Sequence, residues 1–254
     1  ILVRQTAFML RTTATGRRKA ATDSTAPPAL PALTPIAATA SLRDRAYAAL
    51  KQMITDADIY AHPDEIRLDE KQLSAALGVS RTPIREAMTL LEQEGFLRTE
   101  PRRGIFIVRK TKREIIEMIR MWAALESMAA RLATTSATDA EIGGLRQLFD
   151  EFRTEAPEGH LAEYSDANIA FHQAIVRLSK SPLMIKTTDN LFVHVRAIRR
   201  MTISQKDRAA RSIVDHMRII DALERRDTET AERLVRQHSL DLATHVERYC
   251  DFLD

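Results

Sequence analysis

From Thr111 to its C-terminal end, the chain repeats apolar residues at helical spacing, and no segment alternates as a strand would. The pattern divides into six stretches at about 112–134, 138–154, 160–179, 182–202, 207–226 and 228–252. Several begin on a capping residue such as Thr111, Thr138 or Asp227. Helices joined by short connections pack antiparallel, so the sequence predicts a mainly α protein with a bundle of about six helices.

Residues 41–110 show a different order of elements. A helix is predicted from Ser41, a second over 69–77 that ends at Gly78, and a third from Ser80 to about Gly95. Two short apolar runs then flank the turn Pro101-Arg102-Arg103-Gly104, which is typical of a β-hairpin. Three helices followed by a small hairpin predict a winged helix-turn-helix.

The first forty residues have no sustained period, contain four prolines and carry five basic side chains against one acidic. We interpret residues 1–40 as a disordered basic arm, 41–110 as a DNA-binding domain and 111–254 as an effector-binding and dimerisation domain. No apolar run is long enough for a membrane span, so no membrane partner is expected. Cys250 is the only cysteine, which fits a reducing compartment, and we expect a cytoplasmic, nucleoid-associated protein.

The third predicted helix carries the residues expected to contact DNA. A recognition helix presents polar and basic side chains in its first turns and packs its apolar side on the scaffold. Arg81 and Arg85 are four apart and share a face, and arginine is suited to bidentate contact with guanine. Hydroxyl groups near the helix N-terminus suit phosphate oxygens. The predicted DNA contacts are Lys71, Ser80, Arg81, Thr82, Arg85, Arg102, Arg103 and Gly104.

An enzyme is not expected. The chain has no HExxH, GxSxG, phosphate-binding loop or dinucleotide-binding glycine pattern. Its serine, histidine and acidic residues show no spacing that would predict a catalytic triad. Net charge is only +3, so any DNA contact has to come from a local basic patch.

Four residues of the helical half are candidate metal ligands. Asn168 and His172 are four apart and therefore share a helical face, and His216 and His238 lie on two later predicted helices. Three imidazoles and one oxygen donor would suit a divalent metal such as Zn²⁺ or Ni²⁺ if they converged. Spacing along the chain leaves that convergence open.

The segments LGVSRTPIREAM (77–88) and LLEQEGFL (90–97), with Gly104, closely resemble the GntR family of bacterial repressors. The helical remainder resembles the FadR-type subfamily, whose C-terminal FCD-like domain is an all-α ligand-binding bundle. The resemblance covers about residues 42–250. It implies a homodimer that reads a pseudo-palindromic operator, with DNA contacts at Lys71, Arg81, Thr82, Arg85 and Gly104.

The same resemblance implies the ligand set Asn168, His172, His216 and His238, with asparagine where aspartate is commoner in the family, and a small organic acid as effector. Arg196, Arg199 and Arg200 on the predicted 182–202 helix, and Arg120 on the first bundle helix, are candidates to clamp its carboxylate. Of these four arginines, we selected Arg120 and Arg196 as the predicted effector contacts. The sequence thus predicts a repressor whose operator affinity responds to a small acid at a metal-containing pocket. The alternative is a regulator for which the metal ion itself is the signal.

Overall fold

The computed structural model describes residues 41–61, 64–153 and 159–253. The predicted arm at 1–40 lies outside these residues. The helices are α1 Leu42–Asp56, α2 Glu70–Leu77, α3 Arg81–Gln93, α4 Lys112–Ser136, α5 Asp139–Gln147, α6 Leu161–Leu178, α7 Pro182–Ile203, α8 Arg208–Glu224 and α9 Thr228–Tyr249. The strands are β1 Arg67–Leu68, β2 Leu97–Glu100 and β3 Gly104–Ile107. This confirms the mainly α fold with a small hairpin.

The first three helices begin and end where their capping residues predict. Ser41 and Asp69 accept hydrogen bonds from backbone N–H groups in the first turns of α1 and α2. Gly78 ends α2 with φ +65°, a left-handed conformation that glycine adopts without steric cost. Ser80 occupies the N-cap position of α3 but makes no side-chain capping bond. Its hydroxyl is therefore not committed to the helix end.

The small sheet has one strand more than the predicted hairpin. β3 lies in the centre, paired antiparallel with β2 through Leu97–Ile107 and with β1 through Leu68–Ile105. β1 has only two residues, so it is too short to show an alternating pattern in the sequence. It nevertheless fixes the chain before α2 to the hairpin.

All six helices predicted after Thr111 are present, with small shifts at their ends. Thr111 and Glu114 form a reciprocal capping box at the start of α4, and Thr138 and Glu141 form another at the start of α5. The stretch predicted as one helix over 138–154 is instead α5 followed by a short 3₁₀ turn at Asp150–Arg153. Among the described residues, no helix combines the length and apolar content that crossing a bilayer requires.

The 25-residue helix α4 is central to the bundle and packs against α6, α7, α8 and α9. Its buried face is mostly alanine and isoleucine, which lets neighbouring helices approach closely, and it contains one aromatic side chain. Trp122 is 1% exposed and its ring centroid lies 5.1 Å from that of Phe192 on α7. The same face contains the buried acid Glu126.

Helix α7 joins the bundle to the segment that contains α1–α3. The Arg196 guanidinium donates to the carbonyl of Thr55 at 2.9 Å and to the Asp56 carboxylate at 2.6 Å. The Lys51 ammonium donates to the Asn190 side chain at 2.8 Å. His194 lies between these two contacts along α7. Together they fix one helix of the bundle to α1.

His194 is buried in the same contact. Its Nδ1 is 2.8 Å from the Tyr60 hydroxyl, and its ring stacks on Phe96 with centroids 6.5 Å apart. The hydroxyl also accepts the Lys110 backbone N–H, so its own proton is available for His194 Nδ1. Burial, with a smaller contribution from the nearby Lys110 charge, lowers the pKa of His194 to about 4. The imidazole is therefore neutral at physiological pH.

Candidate DNA-binding surface and metal centre

Helix α3 exposes polar side chains in its N-terminal turns and buries apolar side chains on its opposite side. Ile84, Ala87, Met88 and Leu91 are buried on the side that faces α1. The opposite side exposes Arg81, Thr82 and Arg85, and Ser80 is exposed just before the helix. The free N–H groups and the dipole of this 13-residue helix favour an anion at the same end. The predicted arrangement of a recognition helix is therefore present.

Helix α2 contributes to this surface through its first turn. The Arg85 Nε donates to the Glu70 carboxylate at 2.7 Å, and the Arg85 side chain remains 63% exposed. Lys71, the next residue, is exposed. The ion pair holds the Arg85 stem against α2 and leaves its guanidinium accessible. Phosphate or base contacts from α2 and α3 can therefore fall on one surface.

The hairpin tip differs in detail from the sequence interpretation. Gly104 is one of the residues predicted to contact DNA. Its φ is +120°, and the Nε of Arg67 lies 2.7 Å from the point where a Cβ would stand. The missing side chain therefore makes room for Arg67, which the sequence interpretation did not select. Arg103 pairs with Glu100 and Glu65, whereas Arg102 is exposed at φ +66°.

The structure brings three of the four candidate ligands together. His172 on α6, His216 on α8 and His238 on α9 each offer a ligand atom, and these atoms lie within 4.8 Å of one another. The Nε2 atoms of His216 and His238 are 3.2 Å apart. All three side chains are at most 8% exposed. The convergence that spacing left open is therefore present.

The fourth candidate, Asn168, lies one turn before His172 and is 1% exposed. Its Oδ1 and the Nε2 of His172 are buried and have no hydrogen-bond partner among the described residues. Orphaned buried polar atoms are rare, and here both can act as metal ligands. Burial also lowers the pKa of His172, His216 and His238, so the imidazoles are neutral, as metal binding requires. The donor set fits a divalent first-row metal.

The second ring nitrogen of each histidine has its own partner. His172 Nδ1 is 2.5 Å from Glu126, and His238 Nδ1 is 3.3 Å from Asp215. His216 Nδ1 is 3.4 Å from the Tyr164 hydroxyl. Such contacts fix the ring orientation and direct Nε2 toward a shared point, as around metal-binding histidines in general. The cluster is therefore held in place by its surroundings.

Glu126 and Arg199 form a buried polar network beside the cluster. Glu126 accepts hydrogen bonds from Trp122 Nε1 and from Ser239 Oγ, both at 2.7 Å, and burial raises its pKa. Arg199 on α7 is 1% exposed and donates to Ser239 Oγ at 3.2 Å. Burial lowers the pKa of Arg199 to about 10. Our sequence interpretation did not identify Glu126, although an acid on an otherwise apolar helix stripe is a detectable signal.

The two arginines selected as effector contacts lie elsewhere. Arg196 is engaged by Thr55 and Asp56 in the contact between α7 and α1, so its guanidinium is not at the histidine cluster. Arg120 is exposed on α4. The buried guanidinium near the cluster is that of Arg199, three residues after Arg196. Sequence spacing did not distinguish them because it does not specify which face of α7 meets α9.

Two family profiles match the chain in the parts that carry these sites. The profile described as "Bacterial regulatory proteins, gntR family" matches residues 42–107, and the one described as "FCD domain" matches residues 117–241. The chain belongs to the GntR family of bacterial regulatory proteins and has an FCD domain after its winged helix-turn-helix. It is a DNA-binding transcriptional regulator and not an enzyme.

Individual relatives agree with this membership. The chain is 30% identical over 197 residues to the "Uncharacterized HTH-type transcriptional regulator YdhC" of Bacillus subtilis, covering 76% of this chain and 85% of the relative. It is 26% identical over 181 residues to the "HTH-type transcriptional repressor RspR" of Escherichia coli, covering 71% and 79%. Repressors therefore occur among its relatives.

Solved structures show the same fold. The structure titled "E. coli McbR/YncC" matches with a TM-score of 0.68 at 23% sequence identity, covering 84% of this chain and all of that one. A putative GntR regulator from Rhodococcus sp. RHA1 matches with a TM-score of 0.65 at 22% identity, covering 82% of this chain and 98% of that one.

Proposed function

We propose that this protein is a repressor whose affinity for its operator is controlled by a small organic acid bound at a divalent metal in the helical domain. The observation that carries the proposal is the buried cluster of His172, His216 and His238 beside the orphaned Oδ1 of Asn168. These four residues would hold the ion. When bound, the ion supplies positive charge and open coordination positions for a carboxylate.

On the DNA side, we propose that residues 41–110 read the operator. Arg81 and Arg85 would contact base edges, and Ser80, Thr82 and Lys71 would contact phosphates. Arg102, Arg103 and Gly104 at the hairpin tip would extend the contact along the duplex. The exposure of the α3 N-terminus and the Glu70–Arg85 pair support this assignment.

The proposed link between the two sites is helix α7. Arg199 contacts Ser239, which donates to the same Glu126 that contacts His172. One turn before Arg199, Arg196 is bound to Asp56 of α1. A ligand that displaces α7 would therefore change how residues 41–110 are held. A coupling of about 1–3 kcal/mol would be sufficient for regulation.

We further propose that the protein acts as a homodimer, which a pseudo-palindromic operator requires. Met121 and Met128 are 55% and 44% exposed and lie seven residues apart on one face of α4, where a second copy could bury them.

Sedimentation should show a dimer that Met128→Asp dissociates. The matched change Met53→Asp, at a methionine on α1 that is 36% exposed, should leave the dimer intact. A native chain that sediments as a monomer would contradict this assignment.

The regulatory proposal is tested by operator binding with the metal and the acid varied separately. The purified protein is dialysed against chelator, then assayed on DNA from upstream of its own gene, with and without zinc or nickel. A panel of small carboxylic acids is then added. Metal-dependent binding that changes with one acid supports the proposal. Affinity that follows the metal alone, whatever acid is present, would indicate the alternative, a metal-responsive regulator.

A further inference from the structure

A large cleft opens between α8 and α9, on the outer side of the histidine cluster. Its volume is about 810 Å³, and it is lined by the N-terminal half of α8 and the C-terminal half of α9. His238 and Asp215 form part of its wall. Because His238 also belongs to the metal cluster, a ligand in the cleft can extend to the metal site.

The cleft is rich in positive charge. Five basic side chains line it, against three carboxylates; the basic set is Lys206, Arg208, Arg211, Arg218 and Arg248. Arg211 pairs with Asp207 at 3.0 Å on the rim, where both side chains are more than 60% exposed. His245 adds no charge at neutral pH because burial lowers its pKa to about 4. The lining therefore has an excess of positive charge.

Among the described basic residues that line the cleft, Arg208 is the one with a buried nitrogen that lacks a hydrogen-bond partner. Its Nε is buried, and it has no hydrogen-bond partner among the described residues. No carboxylate in the described part of the chain forms an ion pair with its guanidinium. Burial lowers the pKa of Arg208 to about 10, and repulsion from Arg199 and Arg211 contributes. Arg208 is half-buried. A buried donor without a partner, such as its Nε, is costly, so an anion at this point would stabilise the protein.

The remaining wall of the cleft suits a short carbon chain. Val214 and Leu242 contribute apolar surface, and Tyr249 contributes a ring that is 45% exposed and has the Lys206 ammonium 3.7 Å from its centroid. A ligand with an acidic group at each end and a short aliphatic centre would match these surfaces. A neutral ligand would leave Arg208 without its counter-charge.

We propose that this cleft is an anion site centred on Arg208, which binds the distal carboxylate of a small dicarboxylic acid. The other carboxylate of the same molecule lies at the metal cluster, so the inference rests on the proposed function and specifies its effector class. Arginine provides paired donors for a carboxylate, and the open cleft provides the entry path. A monocarboxylic acid would occupy the metal end alone.

Calorimetric titration of the zinc-loaded protein tests the proposal with acetate and with the series malonate, succinate, glutarate and adipate. At least one diacid should bind about tenfold or more tightly than acetate. Arg208→Gln should reduce its affinity to the acetate level, with zinc content and acetate affinity unchanged. Arg208→Lys should retain part of the preference. Arg113→Gln, at an exposed arginine on α4, is the matched control. A diacid preference that survives Arg208→Gln would overturn the proposal.

A second measurement separates this inference from the metal proposal and does not depend on the folding of Arg208→Gln. Inorganic phosphate is added to the metal-free protein, and the Arg208 Nε–H resonance, assigned with Arg208→Lys, is followed by NMR. A shift of that resonance supports the anion site even if zinc fails to bind, which would reject the metal proposal alone. Binding of zinc and acetate with no response of Arg208 to phosphate or diacids would reject the anion site alone.

Discussion

At the scale of single residues, the position of one buried acid determines how the histidine cluster is held. Glu126 lies on the apolar face of α4 and contacts His172, Trp122 and Ser239, which come from three different positions along the chain. Its removal would release the His172 ring and leave the other two donors without an acceptor. Glu126 is therefore a positioning residue for the proposed metal site.

We expect Glu126→Gln to weaken zinc binding by about 10–100-fold, the usual effect of losing a hydrogen-bond partner of a metal-binding histidine. Competition with a chromophoric chelator measures the affinity. The matched change Glu117→Gln, at an exposed acid on the same helix, should leave it unchanged. Equal zinc affinity in the two variants would show that Glu126 does not support the site.

The second prediction at this scale concerns Arg85. Arg85→Ala should lower affinity for the operator by about tenfold or more, because a bidentate base contact contributes roughly 1–3 kcal/mol of discrimination. Its effect on thermal stability should be small, since the side chain is 63% exposed. Fluorescence anisotropy at two salt concentrations measures both affinity and salt dependence. Arg113→Ala is the control, and loss of affinity in both variants would point to a nonspecific charge effect.

Sequence patterns identified the candidate ligand residues but not the residues that surround them. His172, His216 and His238 could be selected because Asn168 and His172 share a helical face and the family resemblance singles these positions out. Glu126 and Arg208 are functional candidates only because helices distant in sequence pack together around them. The sequence could not separate Arg196 from Arg199 for the same reason: the rotation of α7 about its axis is set by packing.

At the scale of elements, the caps and breaks explain why the helix predictions succeeded. Both capping boxes and the glycine at the end of α2 act within a few residues, so the sequence displays them directly. β1 is different, because two residues become a strand only when β3 lies beside them. Local chemistry therefore predicts the helices, whereas the third strand depends on tertiary pairing.

The contact between α7 and the α1 region predicts a specific pH dependence. The pKa of His194 is lowered to about 4, whereas in the unfolded chain it lies near 6.5. As pH falls from about 7 to 4, the unfolded chain takes up a proton that the native contact excludes, so the free energy of unfolding decreases. A pKa shift of this size lowers the free energy of unfolding by at most about 3 kcal/mol. This loss of stability levels off below the pKa of His194 in the folded protein.

Denaturant unfolding between pH 7 and pH 4 tests this prediction with His194→Asn, whose amide oxygen can accept the Tyr60 hydroxyl in place of Nδ1. The variant should lose less stability than the native chain over that range. Lys110 and Glu114 act on His194 electrostatically and are retained in both proteins. Identical pH profiles of the two proteins would mean that the pKa of His194 is not lowered in the folded protein, and this outcome would contradict the prediction.

At the scale of the whole molecule, the buried cluster predicts that metal and stability are linked. An ion that binds the native state alone raises the free energy of unfolding by about 2.7 kcal/mol at a concentration 100 times its dissociation constant. Dialysis against chelator should therefore lower the melting temperature, and zinc should restore it. His172→Gln should abolish the zinc-dependent increment. A melting temperature that is insensitive to both treatments would argue against a site in this cluster.

The short connection between β3 and α4 has a consequence for exchanging parts between regulators. Only four residues, 108–111, separate Ile107 from the first turn of a 25-residue helix, and the Thr111 capping box fixes where that helix begins. A chimera that receives a foreign DNA-binding domain at this joint therefore has little slack to absorb a change in the length of the connection. The new DNA-binding domain would also need a hydrogen-bond acceptor for the Arg196 guanidinium and a hydroxyl group for His194 Nδ1. Compatibility between the two domains is therefore decided by a few positions at the end of α1, just after it and on α7, away from the proposed operator and effector contacts.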